Sequence, residues 1–286
     1  MLKILKKTAQ TGLVTIGYPA TPARLPQDFR GPPRFAFAQW RDARPAASVC
    51  PTEAIAIREA GDTRQVTVDY GLCIYCGECA SADPDGTVQM TNRFDLAVPD
   101  RRNLVVSAEY AISTEGVQQE LKKIHHCYWP VEETREKIEK AVHNRIHKVL
   151  GRSLAIREVD AGSCNGCEVE ITALTNPVYD VERLGIHFVA SPRHADMLLV
   201  TGPVTRNMEL ALAKTYRATP DPKVVVAVGA CGISGGIFGK NYATLGGVDQ
   251  VVPVDVFIPG CPPRPHALLY GILLAVGRIE QKGLPQ

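Results

Sequence analysis

The chain has 286 residues, 45 % hydrophobic and 22 % charged, with 32 Lys and Arg against 30 Asp and Glu for a formal net charge of +2. That length supports about two domains, each with its own core, and the near-neutral balance excludes the basic footprint of a nucleic-acid-binding protein. Nine cysteines, mostly in short metal-ligand spacings, suit a reducing compartment and not a disulfide framework.

The N-terminus opens on an amphipathic segment. Leu2, Leu5, Ala9, Leu13 and Ile16 recur at helical spacing, and residues 1–30 carry Lys3, Lys6, Lys7, Arg24 and Arg30 against the single Asp28. Such a segment can lie in a membrane interface, pack on a neighbouring subunit or stand as a solvated helix. The start lacks a sustained apolar core and an A-x-A-like cleavage site. The longest apolar stretch near the end, residues 267–276, is about half of the roughly 20 residues that a membrane span needs. The expectation is a cytoplasmic protein, peripheral to the cytoplasmic face of a membrane as part of a complex. Residues 17–45, rich in Pro and Arg, are expected to run as an extended strap.

Next comes the chemistry. Cys50 precedes Pro51, and after an interval follows Cys73-Ile-Tyr-Cys76-Gly-Glu-Cys79. Two-cluster bacterial ferredoxins carry the run C-x2-C-x2-C-x3-C-P twice, and the fourth Cys of each run ligates the other cluster. Laid on this chain, the first run falls on Trp40, Ala43, Ala46 and Cys50, and the second on Cys73, Cys76, Cys79 and Asp83, with Pro84 in place. Because of the crossover, the four surviving cysteines belong to one cluster and the four lost positions to the other. The pattern predicts one [4Fe–4S] site, Cys50, Cys73, Cys76 and Cys79, beside one abandoned site, in a ferredoxin-like α+β unit with short β-like runs at 54–57 and 65–68. A structural zinc site is the alternative, although zinc sites usually pair two short-spaced couples.

Residues 131–150 have helical period and end at Gly151, a suitable C-cap, so they are expected to form a connecting helix. From Ser153 onward, short aliphatic runs at 154–159, 187–190, 197–200, 223–228 and 254–258 alternate with helical or loop segments such as 207–218. This alternation predicts a flavodoxin-like, doubly wound, largely parallel sheet. The domains expected are an N-terminal segment and strap over 1–45, the ferredoxin-like unit over 46–100, a helical linker over 101–152 and the α/β domain over 153–286.

The α/β domain holds Cys164-Asn-Gly-Cys167, Cys231 and Cys261-Pro-Pro263, three loops that each follow the carboxyl end of an expected strand. Open α/β sheets bind ligands at that rim. Four thiolates can converge there on one cluster, with glycines allowing close backbone approach. Zinc or unligated buried cysteines remain the alternative.

The segments Ser163-Cys-Asn-Gly-Cys-Glu-Val-Glu-Ile171, Ser191-Pro-Arg-His-Ala-Asp196, Gly229-Ala-Cys-Gly-Ile-Ser-Gly-Gly236 and Pro253-Val-Asp-Val-Phe-Ile-Pro-Gly-Cys-Pro-Pro-Arg264 resemble the small electron-transfer subunits of membrane-bound [NiFe] hydrogenases and formate hydrogenlyases. These are homologous to the 20-kDa subunit of respiratory complex I, and the likeness covers about residues 130–280. It implies that Cys164, Cys167, Cys231 and Cys261 hold a proximal [4Fe–4S] cluster facing the active site of a separate large subunit of hydrogenase or 49-kDa type. Residues 1–100, with Thr11-Gly12 and Asp28-Phe-Arg-Gly31, resemble the ferredoxin-like subunit of the same complexes. The chain thus looks like a fusion of two adjacent electron-carrying subunits, with further complex I-like subunits and the membrane arm as possible neighbours. Within that superfamily, complex I subunits are expected to carry adjacent cysteines at the first ligand pair. The C-x2-C spacing here favours a hydrogenase-type relay with two [4Fe–4S] clusters over a relay to quinone.

Other residues invite stronger readings than they carry. Glu168 suits either a proton route or an exposed carboxylate opening a helix, and Glu170 flanks the same loop. Arg193, His194 and Asp196 are expected to position the loop before the run at 197–200, and His125-His126-Cys127 lacks a fourth ligand. Gly232-x2-Gly235-Gly236 fits neither nucleotide fingerprint. With no Ser-His-Asp set, phosphate loop or open-site metal triad in the sequence, the chain is expected to carry electrons without performing bond chemistry itself.

Overall fold

The computed structural model describes residues 2–113, 116–125 and 153–283. The connecting helix expected over 131–150, together with His126 and Cys127, lies outside these. A basic helix α1 (Leu2–Thr11) leads into a strap that crosses the second domain. Thr15 Oγ1 donates to the Pro177 carbonyl at 2.8 Å, Ile16 N to the Val178 carbonyl at 2.9 Å, and Arg183 donates to the Tyr18 carbonyl at 2.7 Å.

The N-terminal unit contains two antiparallel sheets. Strand β1 (Pro33–Phe35) pairs with β4 (Val88–Met90). A second sheet runs β2 (Ile55–Ala60), β3 (Thr63–Asp69), β5 (Val105–Ile112) and β6 (Gln118–His125) in that order. Ala60 faces Thr63 across the first hairpin, and Gly61 takes φ 62° in the two-residue turn, a conformation available to glycine without steric cost. Along β5 every second residue is buried, so that Val106, Ala108 and Tyr110 join Val66 and Val68 in the core, as the period of a half-buried strand requires. Between the sheets lie the short helices α2 (Arg44–Ser48) and α3 (Glu78–Ser81).

Here the expected domain division needs correction. The described parts of the expected helical linker, residues 101–113 and 116–125, form a 3-10 turn (Arg101–Leu104) and strands β5 and β6, extending the ferredoxin-like hairpin to four strands. Strand β6 is the sheet's edge, and its Glu120, Lys122 and Lys123 are exposed, the charged guard typical of edge strands.

The second domain is a five-stranded parallel sheet of β7 (Leu154–Asp160), β8 (Ile186–Phe188), β9 (Met197–Thr201), β10 (Val224–Val228) and β11 (Val256–Ile258), in the order β11-β10-β9-β7-β8. Counted from β7, this is the flavodoxin-like order 2-1-3-4-5 with its switch point between β7 and β9, and the expected α/β fold class holds. Helices α4 (Gly166–Ala173), α5 (Arg206–Ala218), α6 (Gly229–Ser234) and α7 (Pro265–Gly283) join the strands or close the fold. The central strands β9 and β10, with β11, are near-continuously apolar because both faces are covered, whereas β7 turns polar at Arg157 and Glu158 toward its carboxyl end. Met197, Leu199, Val224 and Val226 pack with Leu268, Leu269 and Ile272 of α7. Leu198, Val200, Val225 and Ala227 belong instead to a core continuous with Trp40, Val66 and Tyr110 of the N-terminal unit. The two units thus share one hydrophobic core, and Val98 makes an antiparallel bridge to Phe257 on β11. Among the described residues, no helix is long and apolar enough to cross a membrane.

Two candidate metal centres

At the first centre, the sequence-predicted Cys50, Cys73, Cys76 and Cys79 line a single cavity. Pro33, Phe35, Ile55, Val68 and Met90 supply apolar wall. Cys50 follows α2, while Cys73 and Cys76 sit on a loop bent by Tyr75 (φ 58°) and Gly77 (φ 89°), after which Cys79 enters α3. The Ala54 amide lies 3.2 Å from Cys50 Sγ, and Arg30 Nη1 donates to the Cys76 carbonyl at 2.8 Å. Burial, reinforced by the neighbouring Cys79, Cys50 and Cys76, pushes the Cys73 thiol well up. Burial followed by repulsion from Cys76 and Cys50 pushes Cys79 up to about 11. Cys73 and Cys79, whose ionisation the apolar cavity disfavours, stand with Cys50 and Cys76 as a sulfur donor set suited to a cationic body. An iron–sulfur core fits these residues.

At the abandoned positions the structure leaves no comparable donor set. Trp40 is 2 % exposed and Ala43 and Ala46 are buried. Asp83 Oδ2 is occupied by the Val88 amide at 2.8 Å and the Thr87 hydroxyl at 3.0 Å.

The second centre lies at the carboxyl rim of the parallel sheet. Cys164 follows β7, Cys167 stands on α4, Cys231 on α6 directly after β10, and Cys261 follows β11. Backbone closeness here requires glycine. A Cβ on Gly229 (φ 78°) would lie 2.9 Å from Cys167 Sγ, and one on Gly236 (φ 53°) 2.9 Å from Cys231 Sγ. Burial, then Glu168, then Cys231, Cys261 and Cys164 push the Cys167 thiol up. Burial with Cys261 and Cys164 raises Cys231 to about 11, and burial with Cys164 raises Cys261. The three loops therefore bring all four sequence-predicted cysteines within electrostatic reach of one another, and this donor set also fits an iron–sulfur core. Among the described residues, no three Cys, His, Asp or Glu side chains converge tightly enough to hold a single metal ion.

Around this rim, Glu168 Oε1 bonds the Thr201 hydroxyl and its Oε2 is buried without a hydrogen-bond partner. Burial, with the neighbouring Glu168 carboxylate, raises the pKa of Glu158 on β7. Glu170 pairs with Arg264 at 2.9 Å. Asp196 accepts the Ala155 amide at 2.9 Å and so braces the entry to β9, while Arg193 and His194 are both exposed on a 3-10 turn.

Several participants were not singled out from the sequence. Glu158, Thr201 and His266 lie on or beside strands and helices whose apolar period masks them. Ser234 and Gly71, which join the two units, belong to a glycine-rich run and a turn and carry no motif of their own. A cavity of about 650 Å³ separates Ile74 and Tyr75 of the first centre from Cys261, Pro262 and Pro263 of the second.

The profile of the family described as NADH ubiquinone oxidoreductase, 20 kDa subunit, matches residues 164–275, a span that includes Cys164, Cys167, Cys231 and Cys261. Formate hydrogenlyase subunit 7 of Escherichia coli is 54 % identical over 135 residues, covering 47 % of this chain and 53 % of the relative. The chain thus spans about half the length of that relative. A probable membrane-bound hydrogenase subunit MbhJ of Pyrococcus furiosus is 48 % identical over 147 residues, covering 51 % of this chain and 87 % of the relative. The B-type subunit of NADH-quinone oxidoreductase from Bacteroides thetaiotaomicron is 52 % identical over 114 residues, covering 40 % of this chain and 57 % of the relative. With this profile match and 48 % identity over 87 % of the Pyrococcus furiosus relative, the chain belongs to the family of the NADH ubiquinone oxidoreductase 20-kDa subunit, together with these hydrogenase subunits.

Proposed function

We propose that this chain is an electron-transfer subunit holding two [4Fe–4S] clusters, one on Cys50, Cys73, Cys76 and Cys79 and one on Cys164, Cys167, Cys231 and Cys261. It relays electrons to or from the catalytic large subunit of a membrane-bound hydrogenase or formate-hydrogenlyase-like complex. The observation that carries this reading is that each set of four cysteines gathers at one place and the two units share one core. When bound, the clusters supply one-electron carriers whose potentials follow ligation, hydrogen bonding and burial. The chain's own residues set those conditions. Apolar walls around Cys73 and Cys79 exclude water, Ala54 N points a donor at Cys50 Sγ, and Gly229 and Gly236 let backbone approach the thiolates of Cys167 and Cys231.

The face carrying the second centre suits a large protein partner. Cys164 and Cys261 are exposed there, Val169 is exposed on α4, and Ile237, Phe238 and Tyr242 are exposed on the segment after Cys231. Clustered apolar exposure of this kind marks an interaction surface. At the other end, α1 presents Lys3, Lys6 and Lys7 with an exposed Ile4, and Leu13 follows it. This composition supports attachment to a membrane surface or to a neighbouring subunit at the cytoplasmic face.

A complex I-like relay to quinone is the second reading, favoured by the similarity to the B-type subunit of NADH-quinone oxidoreductase. The C-x2-C spacing of Cys164 and Cys167 weighs toward the hydrogenase type. Anaerobic purification followed by iron and acid-labile sulfide analysis tests the relay. About eight iron atoms per chain are expected from two four-iron clusters, and bound zinc without sulfide would replace the relay by a structural scaffold. Metal analysis of the co-purified large subunit separates the two complex types: nickel is expected for the hydrogenase reading, and a nickel-free partner that reduces quinone overturns it.

A further inference from the structure

We infer that electrons cross between the two centres through the hydrogen bond that joins Ser234 to Gly71. This deepens the relay reading and rests on it. Gly71 is buried two residues before Cys73, and Ser234 stands three residues after Cys231 at the end of α6. Ser234 Oγ lies 2.9 Å from the Gly71 carbonyl and 2.9 Å from the Ala230 carbonyl, and it accepts the Gly236 amide at 3.3 Å. A hydroxyl has one proton and two lone pairs, so Ser234 shares its proton between the Gly71 and Ala230 carbonyls while accepting the Gly236 amide, and sits between the loop entering the first centre and the helix carrying Cys231.

The acceptor is held as firmly as the donor. The Gly71 amide donates to Asp69 Oδ1 at 2.8 Å, and Asp69 Oδ2 is paired with Arg101 at 2.6 Å. A Cβ at position 71 would stand 2.6 Å from Arg101 Cζ and 2.8 Å from Ile233 Cγ2. Glycine therefore leaves room for the Arg101 and Ile233 side chains against this backbone, so that the contact can form. The result is a continuous route from Cys73 through Leu72 and Gly71, across one hydrogen bond, then through Ser234, Ile233 and Gly232 to Cys231.

The rival crossing runs from Ile74 and Tyr75 toward Cys261 and Pro262 and meets the cavity of about 650 Å³. Electronic coupling decays more steeply through open space than along covalent and hydrogen bonds, which favours the bonded route. The step moves one electron. The centre of Cys73 is oxidised by one unit, the centre of Cys231 is reduced by one unit, and no bond or proton is transferred. A one-electron donor outside the chain supplies the first centre.

The test uses the full chain with both centres loaded. A flash-generated reductant delivers one electron per chain, and freeze-quench EPR follows its redistribution between the two spectroscopically distinct centres. Ser234→Ala is expected to slow redistribution several-fold, with iron content and the dipolar coupling between the centres unchanged, and Ser234→Thr, which keeps the hydroxyl, is expected to restore the rate. An unchanged rate in Ser234→Ala overturns the route. A slower rate accompanied by altered dipolar coupling also overturns it, because Ser234 would then act only by holding the units together. Fewer than two iron–sulfur signals in the unmodified chain would instead defeat the relay reading itself.

Discussion

The rings of Phe35 and Trp40 lie 5.0 Å apart at a tilt of 35°, and Trp40 occupies the position where a two-cluster ferredoxin carries the first ligand of its other cluster. Phe37 stacks on Phe35 at 5.8 Å and approaches Trp40 at 6.1 Å, while Tyr70 stands 6.5 Å from Phe35. Aromatic side chains bury large areas and favour such tilted contacts. Trp40 and its aromatic neighbours thus form hydrophobic core at that position.

It follows that returning the four ligands together, Trp40→Cys, Ala43→Cys, Ala46→Cys and Asp83→Cys, does not return the cluster. Iron content is expected to stay at about eight per chain. Urea unfolding is expected to reveal a loss of about 3 kcal/mol or more, because the indole leaves a cavity in a packed core. An increase to about twelve irons would show that the aromatic cluster yields to iron.

The cysteine sites were legible because metal-ligand spacing is a local grammar, carried by a few residues with fixed separations. The parallel sheet was legible for a related reason: strands such as Val224–Val228, buried on both faces, are uniformly apolar. Strands β5 and β6 were not. Val105–Ile112 finds its partner β3 about forty residues earlier, at Val66↔Ala108 and Val68↔Val106, and Gln118–His125 is polar because it guards an edge. The burial of Arg64 and His266 was hidden by the same non-locality. Arg64 is enclosed by Asp42, Glu59 and Gln118, and His266 packs against Tyr18, supplied by the strap from the far end of the sequence.

Cys79→Ser is expected to remove one iron–sulfur EPR signal and leave the other, since Cys79 shares its cavity with Cys50, Cys73 and Cys76 and with no cysteine of the second set. The measurement is EPR of the reduced protein beside iron analysis, with about four irons remaining. Loss of both signals would mean that the shared core makes each centre depend on its neighbour for folding.

Arg64, 0 % exposed, holds Glu59 through Nε and Nη2 at 2.9 and 2.5 Å and reaches Asp42 and Gln118 at 3.4 and 3.3 Å. Because its acidic partners are partly exposed, removing the guanidinium strands no buried charge, and its loss is felt mainly as missing packing and hydrogen bonds. Arg64→Ala is expected to cost about 2 kcal/mol in urea unfolding. Arg64→Met, which keeps much of the volume, is expected to cost less; equal losses would mean that the ion pairs, not the packing, anchor β3.

His266, 7 % exposed, is surrounded by Tyr18, Phe94 and Tyr179 at ring separations of 6.3, 5.5 and 5.2 Å, and its Nε2 has no hydrogen-bond partner. Burial lowers its pKa below the ordinary 6.5, so the folded state holds it neutral where the unfolded chain already binds a proton. Between the folded and unfolded values the unfolded state binds more protons, and stability therefore rises with pH through that window and falls on acidification below about pH 6.5. His266→Phe, which keeps an aromatic ring among the three neighbours, removes this proton uptake. The loss of stability between about pH 7.5 and about pH 5.5, measured by urea unfolding, is expected to be smaller in the variant than in the unmodified chain. Acid lability common to both proteins cancels in that comparison, so equal losses would show that His266 does not enter the fold as the neutral base.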